Sequence, residues 1–218
     1  MQNTKVIIVN NPSNPLGFAI EGGNFSNVIA KFPNLKVISD ETYANLVYDD
    51  TNPDIEGLDF IRLRSFSKEH CAPGLRIGYA LARTKISKSI SDFTSLSISC
   101  APSFIQAALN EYLKSKESFE FVSNLRSTMK NRILELKSAI PNSNLATLPN
   151  SAFYAFLSVK DDEAAFNHLL ENNIATCPGS RFGSNGRGFI RVSLAGPEKN
   201  FSTDISKLGK LIGDSEIS

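Results

Sequence analysis

The sequence predicts an α/β fold: a mostly parallel sheet in the first part of the chain, then a small α+β domain. Three observations carry this. Lys5-Val-Ile-Ile-Val-Asn10 is a continuous apolar run ending at a Pro/Asn/Gly cluster, as in a strand buried on both faces. Residues 1–82 then read strand, loop, weak helix, strand, loop, strand, loop, strand, with polar residues clustered at the strand ends. From residue 152 onward, three strand patterns and two helix patterns make a compact α+β unit.

Each element has a local reason. In residues 11–17, Asn-Pro-Ser-Asn-Pro-Leu-Gly, each proline removes a donor and restrains its predecessor, so the segment is a loop. Residues 24–33 space Phe25, Val28, Ile29 and Phe32 as a weak helix. Strands follow at 35–39, 60–65 and 76–82, the first ending at Asp40-Glu-Thr-Tyr43 and the second at Ser67-Lys68. Residues 84–98 are Ser-rich and moderately helical. Pro102 opens a long helical stretch to 139, with Ser115 to Ser118 as the place for an interruption, and Pro141-Asn-Ser-Asn144 breaks the chain. Ala152 to Val159 is a strand, Asp161 to Glu171 an amphipathic helix, and 174–177 a short strand. Pro178 to Gly183 is a turn, 189–194 a strand, and Pro197 starts a last helix to 212.

Composition narrows the function classes. The 218 residues could bury about 70% of their extended surface, enough for a core without cross-links. With 23 Lys+Arg against 22 Asp+Glu, no strong field exists to gather nucleic acid or an anionic membrane. Cys71, Cys100 and Cys177 are too few and too scattered for a disulfide framework or a zinc site, and His70 and His168 make no metal-ligand pattern. The start has no signal-peptide pattern, and no apolar run approaches the ~20 residues that span a bilayer. The expectation is a soluble, cytoplasmic protein with no metal.

Chemistry concentrates at the strand ends: an amide at Asn14, a carboxylate and a phenol at Asp40 and Tyr43, two hydroxyls and an amine at Ser65, Ser67 and Lys68, and a guanidinium at Arg76. Each alone is an ordinary turn, cap or surface residue. Together they stand where ligands bind in open α/β sheets, outside the carboxyl ends of the strands.

The order Asn-Pro-Ser-Asn-Pro-Leu-Gly (11–17), Ser-Asp-Glu-Thr-Tyr (39–43), Ser-Phe-Ser-Lys (65–68), Pro-Gly-Leu-Arg-Ile-Gly-Tyr (73–79) and Phe-Ile-Arg-Val-Ser (189–193) resembles the class I/II aminotransferases, fold-type I enzymes that use pyridoxal 5'-phosphate. The histidinol-phosphate aminotransferase branch, with its threonine-phosphate decarboxylase and C–S lyase relatives, looks nearest. The resemblance implies that Lys68 forms a Schiff base with the cofactor aldehyde and then shuttles the substrate proton. It implies that Asp40 keeps the pyridine nitrogen protonated, that Asn14 and Tyr43 bond the 3'-oxygen, and that Ser65, Ser67 and Arg76 hold the phosphate. Arg191 then clamps the substrate carboxylate, although by itself it reads as an exposed strand charge. An amino acid and a 2-oxo acid are the implied substrates.

The resemblance also implies a segment before the Asn-Pro motif. In the family it supplies a phosphate-binding loop, a ring-stacking aromatic, further strands, and a tyrosine for the partner subunit. Here the sequence reaches its first strand at Lys5. The expectation is therefore the C-terminal part of a fold-type I large domain (1–115, with the start of a linking helix) and a small domain (116–218). A homodimer or a second chain would complete it. Two alternatives stand beside transamination: a decarboxylase or C–S lyase on the same scaffold, and a truncated, non-catalytic interaction protein. Cys71, where relatives commonly have glycine, reads as a small buried residue, and His70 as loop-exposed.

Overall fold

In the computed structural model, residues 3–54, 60–141, 144–145 and 147–213 are described. Residues 142 and 143 of the predicted 141–144 break lie outside them, as do the first two residues of the chain. The first part of the chain forms strands β1 (Val6–Asn10), β2 (Lys36–Asp40), β3 (Phe60–Ser65) and β4 (Gly78–Leu81). Between them stand helices α1 (Gly22–Ile29) and α2 (Phe66–Glu69). Helices α3 (Thr84–Ser97), α4 (Ser103–Lys114) and α5 (Lys116–Ala139) follow. The rest comprises β5 (Tyr154–Ser158), α6 (Asp162–Glu171), β6 (Cys177–Pro178), β7 (Phe189–Ser193) and α7 (Phe201–Gly213).

By packing, the chain divides into two compact units: Met1–Pro12 with Ala19–Arg126, and Ser13–Phe18 with Ser127–Ser218. The second division thus falls within α5, eleven residues past the 115/116 boundary expected from the sequence, and residues 13–17 of the Asn-Pro loop group with the second unit while Asn11 and Pro12 stay with the first.

The first unit holds a sheet in the order β1-β2-β3-β4, with β1, β2 and β3 parallel and β4 antiparallel to β3. Alternation sends Ile7, Val9, Val37 and Phe60 to one face, where they pack with Phe25 and Ile29 of α1 and with Leu35. Burying such side chains contributes roughly 1.5–3 kcal/mol each. The other face carries Val6 and Ile8 of β1, Ile38 and Asp40 of β2, and Ile61 and Leu63 of β3. It is largely uncovered: Ile8 is 70% exposed and Val6 48%.

The predicted 102–139 helix is two helices. Ser115 is extended (φ −79°, ψ 154°); its hydroxyl donates to Tyr112 O of α4 at 2.6 Å and accepts from Ser118 N at 3.3 Å. One short side chain both closes α4 and caps α5. The predicted 174–177 strand is shorter and later, because only Cys177 and Pro178 pair with β7. The predicted 197–212 helix opens with a single 3-10 turn at Glu198–Asn200 before α7. The short helix α2 was not expected.

The second unit holds a sheet in the order β5-β7-β6, all antiparallel. Leu157, Ile190, Leu194, Leu136 of α5, and Leu208 and Ile212 of α7 are fully buried. Gly209 lets α7 approach α5 closely, since a Cβ there would stand 2.2 Å from Ala139 O. Buried Arg132 donates from Nη1 to Leu194 O at 2.6 Å and to Gly196 O at 2.8 Å, with its guanidinium 4.4 Å from the centre of the Phe201 ring. Arg132→Met is expected to cost about 2–4 kcal/mol, because two carbonyls lose a charged donor. Urea denaturation of the two proteins side by side checks this.

Among the described residues, no helix is long and apolar enough to cross a membrane, and no three His, Cys, Asp or Glu side chains are grouped to hold a metal ion.

Candidate active site

The first unit brings six of the expected site residues to one end of its sheet. Asp40 is the last residue of β2, and Ser65 the last of β3; the strands are parallel, so both lie at their carboxyl ends. Ser65 Oγ accepts from Ser67 N at 3.2 Å and caps α2, whose single turn carries Lys68. Antiparallel β4 starts opposite Ser65, at Gly78, and so returns Arg76 to the same end. A Cβ on Gly78 would stand 2.6 Å from Arg64 O, so only glycine allows this approach.

The detailed settings differ. The Asp40 carboxylate accepts from Thr42 N at 3.1 Å and from the Thr42 hydroxyl, which orients it across the turn. Tyr43 is buried within that turn. Lys68, Ser65 and Ser67 are half-buried. Arg76 is exposed and in the left-handed region (φ 52°), and its Nη1 donates to Pro73 O at 2.9 Å within its own turn.

The remaining two site residues lie together in the second unit. Arg191 Nη1 donates to Asn14 Oδ1 at 2.8 Å across 177 positions of sequence. The guanidinium lies 4.5 Å from the Tyr154 ring centre and 4.9 Å from that of Phe182, and its Nε is buried without a hydrogen-bond partner. Arg191 is therefore not the exposed strand charge that alternation suggests. It is a half-enclosed cation between two aromatic faces with donor capacity to spare. Asn14 is held there by Gly17, whose carbonyl accepts from Asn150 N at 3.0 Å and Ser151 N at 3.1 Å.

Two expectations are corrected. Cys71 is exposed rather than buried, at φ 49° in the turn after α2. His70 is not loop-exposed: its ring sits 5.6 Å from both Phe66 and Tyr112, Nδ1 is buried without a partner, and burial holds the imidazole below its ordinary range. His70 and Tyr112 also line an apolar cleft of about 330 Å³ with Leu75, Phe104 and Leu109.

An ionic cluster on the other side of the sheet went unread. Arg62 and Arg64 of β3 point to one face, and both meet Glu41, which is 2% exposed: Arg62 Nε at 2.6 Å and Arg64 Nε at 2.8 Å. Asp54 adds contacts at 2.7 and 3.4 Å. Burial of Glu69 pushes its carboxyl above the ordinary range, although Arg64 and a hydrogen bond from Asn45 pull the other way. The signal was legible: arginines at i and i+2 of a strand imply a carboxylate partner on that face.

Residues 1–205 match the family model for aminotransferase class I and II. An aspartate aminotransferase from Pyrococcus abyssi is 29% identical over 230 residues, covering 99% of this chain and 59% of the relative. An aromatic-amino-acid aminotransferase from Thermococcus litoralis is 27% identical, covering 98% and 59%. The crystal structure of an aromatic aminotransferase from Pyrococcus horikoshii superimposes with a TM-score of 0.89 at 26% identity, covering 97% of this chain and 61% of that one. The chain thus spans about three-fifths of the length of the relatives it matches.

Proposed function

The chain belongs to the aminotransferase class I and II family, and we propose that it carries the lysine-bearing part of a pyridoxal-phosphate transaminase that moves an amino group between an amino acid and a 2-oxo acid. The observation that carries this reading is the gathering of Asp40, Tyr43, Ser65, Ser67, Lys68 and Arg76 at the carboxyl end of one sheet. The donor set suits the cofactor: an amine for its aldehyde, a carboxylate for its ring nitrogen, and hydroxyls with a guanidinium for its phosphate. Bound pyridoxal phosphate supplies a ring that withdraws electrons from the substrate Cα.

The roles of the chain's own residues follow from their chemistry. Asp40, oriented by Thr42, holds the proton on the ring nitrogen. Tyr43 would donate to the 3'-oxygen, and Asn14 keeps the cofactor role that the family resemblance implies for it. Ser65, Ser67 and Arg76 bind the phosphate, Arg76 exchanging its turn carbonyl for the anion. Lys68 Nζ takes the proton from the substrate Cα and returns it on the other side of the transfer. Arg191 pairs with the substrate carboxylate, using the Nε that has no partner within the protein. The relatives above are named for aspartate and aromatic amino acids, so the expected histidinol-phosphate branch is not carried forward.

Further polypeptide, a second copy of this chain or another chain, completes the assembly. The support is the sheet face that carries Asp40, where Val6, Ile8 and Leu63 stand exposed although parallel sheets are normally covered on both sides. A cytoplasmic setting without nucleic-acid or membrane partners fits the near-zero net charge.

Borohydride reduction after mixing the chain with pyridoxal phosphate tests the assignment. Peptide mapping is expected to find the pyridoxyl group on Lys68. A label spread evenly over the exposed lysines overturns it.

A further inference from the structure

Glu41 follows Asp40 in sequence, and Glu69 follows Lys68. Both glutamates turn away from the proposed site into the protein, where Glu41 is 2% and Glu69 3% exposed. Arg64 Nε is 2.8 Å from Glu41 Oε2, and its charge also favours the ionised form of Glu69. Asn45, two residues beyond Tyr43, donates to the Glu69 carboxyl from both its side-chain amide and its backbone N–H, while Glu69 Oε2 is buried with no partner. Helix α2 is only four residues long. One turn does not hold itself together, because its nucleus is costly and few internal bonds offset that cost. Its placement must come from outside, and the Ser65 cap fixes only the end nearer β3.

We propose that Glu69 is a positioning residue: buried and bonded to Asn45, it ties the Lys68 helix to the turn that carries Asp40 and Tyr43. This rests on the assignment of Lys68 and Asp40 as partners on one cofactor. A lysine on an unanchored turn samples many orientations, whereas a proton transfer needs one. Placing a carboxyl in the interior is costly, and Arg64 and Asn45 offset only part of that. Burial also favours the neutral carboxyl, which a glutamine amide imitates in shape and polarity.

The test uses Glu69→Ala, Glu69→Gln and Asn45→Ala in the full chain. Asn45 is exposed, so shortening it opens no cavity; it removes the side-chain bond to Glu69 alone and gives a partial loss of the tie even where Glu69→Ala folds poorly. Without cofactor, amide hydrogen exchange is expected to rise about tenfold or more at both 42–46 and 66–72 in Glu69→Ala, and about threefold at both in Asn45→Ala, whose backbone N–H still donates to Glu69. Exchange in β5 and β7 stays unchanged, and Glu69→Gln restores protection in both segments. With pyridoxal phosphate and borohydride, the same two variants shift label from Lys68 to other lysines, and Glu69→Gln does not.

Faster exchange at 66–72 alone, or a Glu69→Gln protein that behaves as Glu69→Ala, overturns the tie. Coupled exchange with an unchanged share of label on Lys68 overturns the positioning role. If the unaltered chain is not labelled at Lys68, the assignment of the site fails instead, and the exchange data still decide whether the tie exists.

Discussion

Lys68→Ala is expected to lower transamination by the assembled protein by about 10³-fold or more, because it would remove the group we propose both as the amine that holds the cofactor and as the base at the substrate Cα. Lys68→Arg keeps the positive charge and is expected to fall as far, since a guanidinium stays protonated and can accept no proton. Single-turnover measurements with the cofactor already saturating separate this from weaker cofactor binding. Activity within tenfold of the unaltered protein would remove Lys68 from the mechanism.

Gly17→Ala is expected to destabilise the second unit by more than about 3 kcal/mol. The new Cβ would stand 1.8 Å from Tyr154 O and 2.8 Å from its carbonyl carbon, and φ at this position is +65°. The obstructing atoms are backbone of β5, so no side-chain rotation relieves the clash. The same shift would pull Asn14 from Arg191 and weaken any carboxylate site built on them. Gly23→Ala is the matched control: it lies in α1, meets nothing within 4 Å, and is expected to raise stability by roughly 0.5–1 kcal/mol. Denaturant melts of the three proteins give the comparison, with tyrosine fluorescence as the signal because the chain has no tryptophan.

These variants also mark what was readable in advance. Lys68, Asp40, Ser65 and Arg76 stand out in the chain because apolar runs stop at polar residues there, but their expected roles come from the family resemblance and not from the pattern. Asp40 faces one side of β2 and Arg64 the other side of β3 by simple alternation. The interruption at Ser115 was marked by its hydroxyl-rich surroundings, and the long helix does break there. The four-residue α2 was not readable, since a single turn has no periodicity to detect.

Local pattern was enough for the α/β class, the strand and helix order, and the chemical identity of the groups at the sheet end, because apolar period and chain-breaking residues act over a few neighbours. Long-range packing alone supplied the rest. It paired Arg191 with Asn14 across 177 positions, gave Gly17 a backbone oxygen to avoid, packed half-buried His70 against two rings, and bonded Glu69 to Asn45. Such contacts join residues far apart in the chain, and neither their partners nor their burial leaves a mark in the spacing of neighbouring residues.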